Sequence, residues 1–121
     1  MKRSLMQVYV KGSVEAVDFY KKAFDAGLGY NVKSPDGTFY HSELDVGGQI
    51  VAVSEAANEK STGSTMQFCL QYGEGEEDKV KKAYEVLKEG AKILFPLGPC
   101  DFSTCMADFI DKFGVRWCLF V

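Results

Sequence analysis

The chain carries a single histidine, His41, with Glu43 two positions further on. In an extended segment that spacing puts both side chains on one face. An imidazole beside a carboxylate suits proton transfer near neutral pH, or the holding of a polar ligand group. The surrounding residues alternate, with Tyr40, Ser42, Leu44 and Val46 pointing one way and Phe39, His41, Glu43 and Asp45 the other. The more apolar set is expected to pack against a helix. Phe39, His41 and Glu43 are then left to line a ligand-binding surface. The competing reading makes His41 a structural or solvated histidine.

Further candidates lie near the end of the chain. Asp108 alternates with the apolar Ala107 and Phe109 and is expected on an open face, whereas Asp101 follows Pro99 and reads as loop. In "IDKFGVRWCLFV" (Ile110 to Val121), Asp111, Lys112 and Gly114 supply turn chemistry. Val115, Trp117, Leu119 and Val121 then alternate as a strand, with Cys118 facing away from Trp117. Trp117 joins Phe39, His41, Glu43 and Asp108 in the expected ligand-binding set. "GEGEED" (Gly73 to Asp78) is no phosphate cradle, because its acids would repel phosphate; it reads as a solvated helix start favoured by the dipole. No Ser-His-Asp arrangement follows from spacing alone.

The four cysteines lie apart and form no C-x-x-C pair, so neither a disulfide framework nor a zinc site at Cys100 and Cys105 is expected. A reducing, cytoplasmic setting suits them. The 121 residues suffice for one domain, and the net charge of −3 lacks the basic footprint of a nucleic-acid binder. No apolar run approaches a membrane span, and no signal peptide opens the sequence. Nine Phe and six Tyr are enough to line a pocket as well as fill a core.

The elements that must position these residues come in two rounds. A strand over Leu5 to Val10 is followed by a helix capped by Ser13 and ended by Gly27, with Val17, Tyr20, Ala23 and Phe24 on one face. Two strands flank Pro35-Asp36-Gly37, and the turn at Gly47-Gly48 leads into "QIVAVS". After the small, polar linker Ala56 to Thr65 the order recurs. A strand spans Met66 to Tyr72 and a helix about Glu76 to Glu89, ended by Gly90; strands follow over Ala91 to Phe95, Phe102 to Ile110 and Val115 to Val121. "AVDFYKKAFDAG" (Ala16 to Gly27) overlays "KVKKAYEVLKEG" (Lys79 to Gly90), and Gly48 overlays Gly114. The pattern is a duplicated βαβββ unit, over about residues 1–55 and 65–121, within one domain. One helix cannot cover both faces of four strands. The expectation is an α+β fold whose two repeats form curled mixed sheets around a concave cavity, where a ligand would sit.

Three motifs carry a likeness to a known family. "VEAVDFYKKAF" (Val14 to Phe24), "HSEL" with its glycine turn (His41 to Leu44, Gly47, Gly48) and "DKFGVRW" (Asp111 to Trp117) resemble the glyoxalase/bleomycin-resistance, or vicinal oxygen chelate, superfamily. More narrowly they resemble its PhnB-like branch, often labelled 3-demethylubiquinone methyltransferase-like, with Lys112 replacing that branch's usual proline. The likeness spans essentially the whole chain. It implies the glyoxalase/bleomycin-resistance/dihydroxybiphenyl dioxygenase fold and, as relatives commonly pair, a homodimer. The methyltransferase label is not matched by a nucleotide-binding βαβ unit.

Metal-dependent members of that superfamily use His, Glu or Gln on the first and last strands of each unit. The resemblance carries those positions to Leu5, Ala52, Thr65 or Met66, and Cys118. None is a good hard-metal ligand. A shifted register would be needed to bring Gln7, Gln49 or Gln67 inward. The expectation is therefore no metal and no other cofactor, and a protein that binds a small organic molecule in its concave sheets. The alternative is a metal-dependent lyase or isomerase, or one using His41 as base.

Overall fold

The computed structural model describes residues 1–59, 63 and 65–121, and part of the linker expected over Ala56 to Thr65 lies outside them. The chain divides into two compact units, Met1–Lys60 and Ser61–Val121. Each unit pairs one helix with one four-stranded mixed sheet, so the fold is α+β with two βαβββ repeats. Among the described residues no helix is long and apolar enough to cross a membrane.

In the first unit, β1 (Met6–Val10) leads into α1 (Ser13–Phe24), then β2 (Gly27–Lys33), β3 (Phe39–Val46) and β4 (Gln49–Glu55). The sheet order is β1-β4-β3-β2, with β1 parallel to β4 and the other pairs antiparallel. Ala16, Val17, Tyr20 and Ala23 recur at helical spacing and are buried, as are Val8, Val10, Leu44, Val51 and Val53 on the sheet. Together they make this unit's apolar core. The opposite face of the sheet carries no helix of its own unit.

Two helix boundaries differ from expectation. Ser13 is the first helical residue rather than the cap, and Gly12 precedes it in a left-handed conformation. The orphan amides are met instead by the Glu55 carboxylate, which accepts from Gly12 N at 3.0 Å and Ser13 N at 2.8 Å. An acid at the end of a distant strand does the capping. At the other end Asp25, with φ 51°, takes the left-handed position and ends the helix, while Gly27 already begins β2.

The second unit repeats the order: β5 (Phe68–Gln71), α2 (Glu77–Leu87), β6 (Lys92–Cys100), β7 (Ser103–Ile110) and β8 (Arg116–Phe120), with sheet order β5-β8-β7-β6. Val80, Ala83 and Leu87 of α2 are fully buried, as are Ala107, Phe109, Trp117 and Leu119 of the sheet. Strand β6 runs further than Ala91 to Phe95. It passes through Pro96 and Pro99, which an edge strand tolerates because one side of it needs no ladder partner. The closing turns of both units place a glycine at positive φ, Gly48 at 95° and Gly114 at 91°, where a side chain would be strained.

Candidate functional site

In β3 the Glu43 carboxylate is buried yet fully engaged. Arg3 grips it with two guanidinium nitrogens, Nη2 to Oε1 at 2.7 Å and Nη1 to Oε2 at 3.1 Å. His41 Nε2 lies 3.0 Å from the same Oε1. The bond from Arg3 and then the bond from His41 hold the Glu43 carboxyl down at about 2, against the opposing effect of burial. Across the ladder Glu43 faces Ala52, and Leu44 faces Val51, which belongs to the helix-side core. Glu43 and His41 therefore share the helix-free face. The Tyr30 ring packs 6.0 Å from the His41 ring. Gln7 is also on this face, its amide donating to Ser54 Oγ at 3.1 Å.

Phe39 departs from this grouping. Val32 opposes His41 but the next residue of β2, Lys33, opposes Phe39, so Tyr40 is an extra residue in a bulge. The bulge removes the strict alternation that grouped Phe39 with His41 and Glu43. Phe39 is buried, its amide donates to Ser13 Oγ at 2.9 Å, and Lys33 Nζ stands 5.2 Å above its ring. Tyr40, expected on the helix side, is exposed. Ser42, Leu44 and Val46 are buried as expected.

The second unit has a counterpart cluster. Asp108 faces Cys118 across the ladder, as Glu43 faces Ala52. Its carboxylate accepts from Arg116 Nε at 3.1 Å and Nη2 at 2.8 Å, and from Gln67 Nε2 at 2.8 Å. Cys69 faces Cys118 on the other side, in the place that Gln7 holds opposite Ala52. Trp117 is not part of this face. It opposes Phe109, is fully buried, and donates from Nε1 to Asp111 Oδ2 at 2.9 Å. The expectation of a ligand contact at Trp117 gives way to a core role, because strand alternation sends it to the α2 side.

Asp111 Oδ1 also accepts the amides of Phe113 at 2.8 Å and Val115 at 3.1 Å. This buried carboxylate organises the closing hairpin, a role that sequence reading gave only to turn propensity.

The ladder also tests whether a hard divalent metal fits. Matching Gln7 opposite Ala52 with Cys69 opposite Cys118 makes Gln67, rather than Thr65 or Met66, the counterpart of Leu5. Leu5 and Ala52 offer no side-chain donor in the first unit. In the second, Gln67 is bonded to Asp108, and burial, followed by the neighbouring Cys69, pushes the Cys118 thiol up to about 11. Gln49, the third glutamine considered, donates to the Ile50 carbonyl at 3.0 Å. Glu43 and Asp108 are already neutralised by guanidinium groups. Among the described residues no group of three or more His, Cys, Asp or Glu could hold a metal ion. These residues do not fit a hard divalent cation.

Solved structures share the fold. One is protein PA1353 from Pseudomonas aeruginosa, with a TM-score of 0.82 and 21% identity over 99% of this chain and 97% of that one. Another is a putative 3-demethylubiquinone-9 3-methyltransferase, PhnB protein, from Bacillus cereus, with a TM-score of 0.81 and 23% identity over 98% of both chains. A mutant of the fosfomycin resistance protein FosX from Listeria monocytogenes, complexed with Mn(II) and a dihydroxypropylphosphonic acid, gives a TM-score of 0.72 and 16% identity over 98% and 90%. No curated protein matches the sequence. The family model for the Glyoxalase/Bleomycin resistance protein/Dioxygenase superfamily matches residues 4–119, and the chain belongs to that superfamily.

Proposed function

We propose that this protein binds a small organic molecule on its helix-free sheet faces, with His41 and Glu43 as the polar contacts of the first unit and Asp108 as that of the second. The carrying observation is the 3.0 Å contact between His41 Nε2 and Glu43 Oε1 on a face that no helix of the unit covers. Glu43 is held anionic by Arg3, so it accepts a proton-bearing Nε2 and leaves Nδ1 of His41 for a ligand. No resident metal is needed for this. The binding form is a homodimer in the cytoplasm, supported by the apolar side chains exposed on two edge strands. In β2 these are Leu28, Tyr30 and Val32, and in β6 Ile93, Leu94 and Phe95.

The same pair favours a second reading, a lyase or isomerase in which Nδ1 of His41 removes a proton while Glu43 orients the ring. Native mass spectrometry of freshly purified protein tests the first reading. An organic adduct that dissociates unchanged on denaturation is the expected result. An adduct released as a chemically altered product would favour the enzyme, and absence of any adduct together with failure to bind organic probes would overturn both.

A further inference from the structure

The helix-free face of the second unit carries two thiols that the ligand reading does not use. Cys69 and Cys118 are direct partners in the parallel ladder of β5 and β8. Neighbouring strands lie about 4.8 Å apart, within the roughly 4.4–6.8 Å between Cα atoms that a disulfide spans. Direct partners send their side chains to the same face of the sheet. Cys69 is exposed and Cys118 is buried. Arg116 lies two positions before Cys118 in β8 and so on the same face, paired with Asp108. Cys69 also donates to Gln67 Oε1 at 3.6 Å, so the pair is contiguous with the Asp108 cluster.

We infer that Cys69 and Cys118 form a redox-active dithiol, oxidised by hydroperoxides to an intramolecular disulfide. The exposed Cys69 acts first. Its sulfur takes the terminal oxygen of the hydroperoxide as the O–O bond breaks, giving a sulfenic acid and releasing an alcohol, or water where the oxidant is hydrogen peroxide. The Cys118 sulfur then attacks the Cys69 sulfur. The S–S bond forms, the S–O bond breaks, and hydroxide leaves with the Cys118 proton as water. Overall the hydroperoxide is reduced by two electrons and the dithiol is oxidised by two. Burial keeps Cys118 protonated until that step, which assigns attack to Cys69 and resolution to Cys118. Cys105 is buried and Cys100 half-buried, and neither is a ladder partner of Cys69.

Hydrogen peroxide added to the reduced full-length protein is the test, read by intact mass and by non-reducing peptide mapping. The expected result is loss of the mass of two hydrogens, one cross-link joining the Cys69 and Cys118 peptides, and full reversal by dithiothreitol. The Cys100→Ser, Cys105→Ser double variant should behave the same. Cys118→Ser should stop at a sulfenic acid on Cys69 that dimedone traps. A cross-link to Cys100, a cross-link between two chains, or a wild-type Cys69 that proceeds to sulfinic acid without cross-linking would overturn the inference. The wild-type peptide map decides even if Cys118→Ser fails to fold. The outcome is independent of whether the first unit binds an organic ligand.

Discussion

One oxygen of Glu43, Oε1, receives both Arg3 at 2.7 Å and His41 Nε2 at 3.0 Å. The first residue neutralises the carboxylate and the second is oriented by it. A charge that sits beneath the surface is thus tied to a histidine that does not, and most of what can be tested follows from that linkage.

Glu43→Gln should lower stability and flatten its dependence on acid. The native carboxyl titrates at about 2 against an ordinary value of 4.5, so its contribution is full above the unfolded value and is lost as pH falls through the folded one. Because Arg3 is more than half exposed, solvent screening reduces the contribution to about 1–2 kcal/mol. Urea unfolding of both proteins at neutral pH and at about pH 3 should show the gap between them closing in acid. A constant gap would mean the shift is not expressed in folding.

His41→Ala should weaken binding of whatever organic ligand co-purifies, with little loss of melting temperature. The ring is partly exposed and contacts Tyr30 and Glu43. Removing it leaves Glu43 still paired with Arg3, so no buried charge is orphaned. A loss of about 1–3 kcal/mol with unchanged affinity would retire His41 from the site.

The closing hairpin should prove far more sensitive. Asp111→Ala removes an acceptor shared by Phe113 N, Val115 N and Trp117 Nε1, and Trp117→Phe leaves one buried carboxylate oxygen without its indole partner. About 3 kcal/mol or more is expected for the first and about 1–3 kcal/mol for the second, measured by denaturant unfolding. Ligand affinity per folded molecule should be unchanged in Trp117→Phe.

Elemental analysis of purified protein should find zinc, nickel and manganese well below one per chain, and a chelator should leave the melting temperature unmoved. Cys118→Glu should not create a metal site, since Gln67 and Asp108 on that face are already bonded to one another, and Asp108 to Arg116. Equimolar metal that resists dialysis would contradict this.

Sedimentation equilibrium at micromolar concentration should return a dimer. The apolar side chains exposed on β2 and β6 need covering, and a monomer would refute that assignment.

Much of the architecture was legible because burial writes itself into spacing. Val80, Ala83 and Leu87 recur every three or four residues, and all are fully buried. Gly48 and Gly114 marked the two closing turns. His41 beside Glu43 followed from strand period alone. Several of the missed features depend on partners distant in sequence. Glu55 caps a helix some forty positions earlier, and Arg3 reaches Glu43 across a separation of 40 residues. The bulge at Tyr40 has no signature in β3 itself, since it arises from how β2 pairs with it. Trp117 was misplaced for a different reason. Its alternation was correct, but the side occupied by α2 was not fixed by the strand's own pattern.

The paired carboxylates also carry a record of ancestry. Glu43 and Asp108 occupy one position of the duplicated unit, yet their arginines do not correspond: the counterpart of Arg3 is Thr65, and that of Arg116 is Ile50. On the simplest history the acid descends from the single ancestral unit, and at least one guanidinium arrived after the copies diverged. In that ancestor, at least one of today's two charge balances did not yet exist.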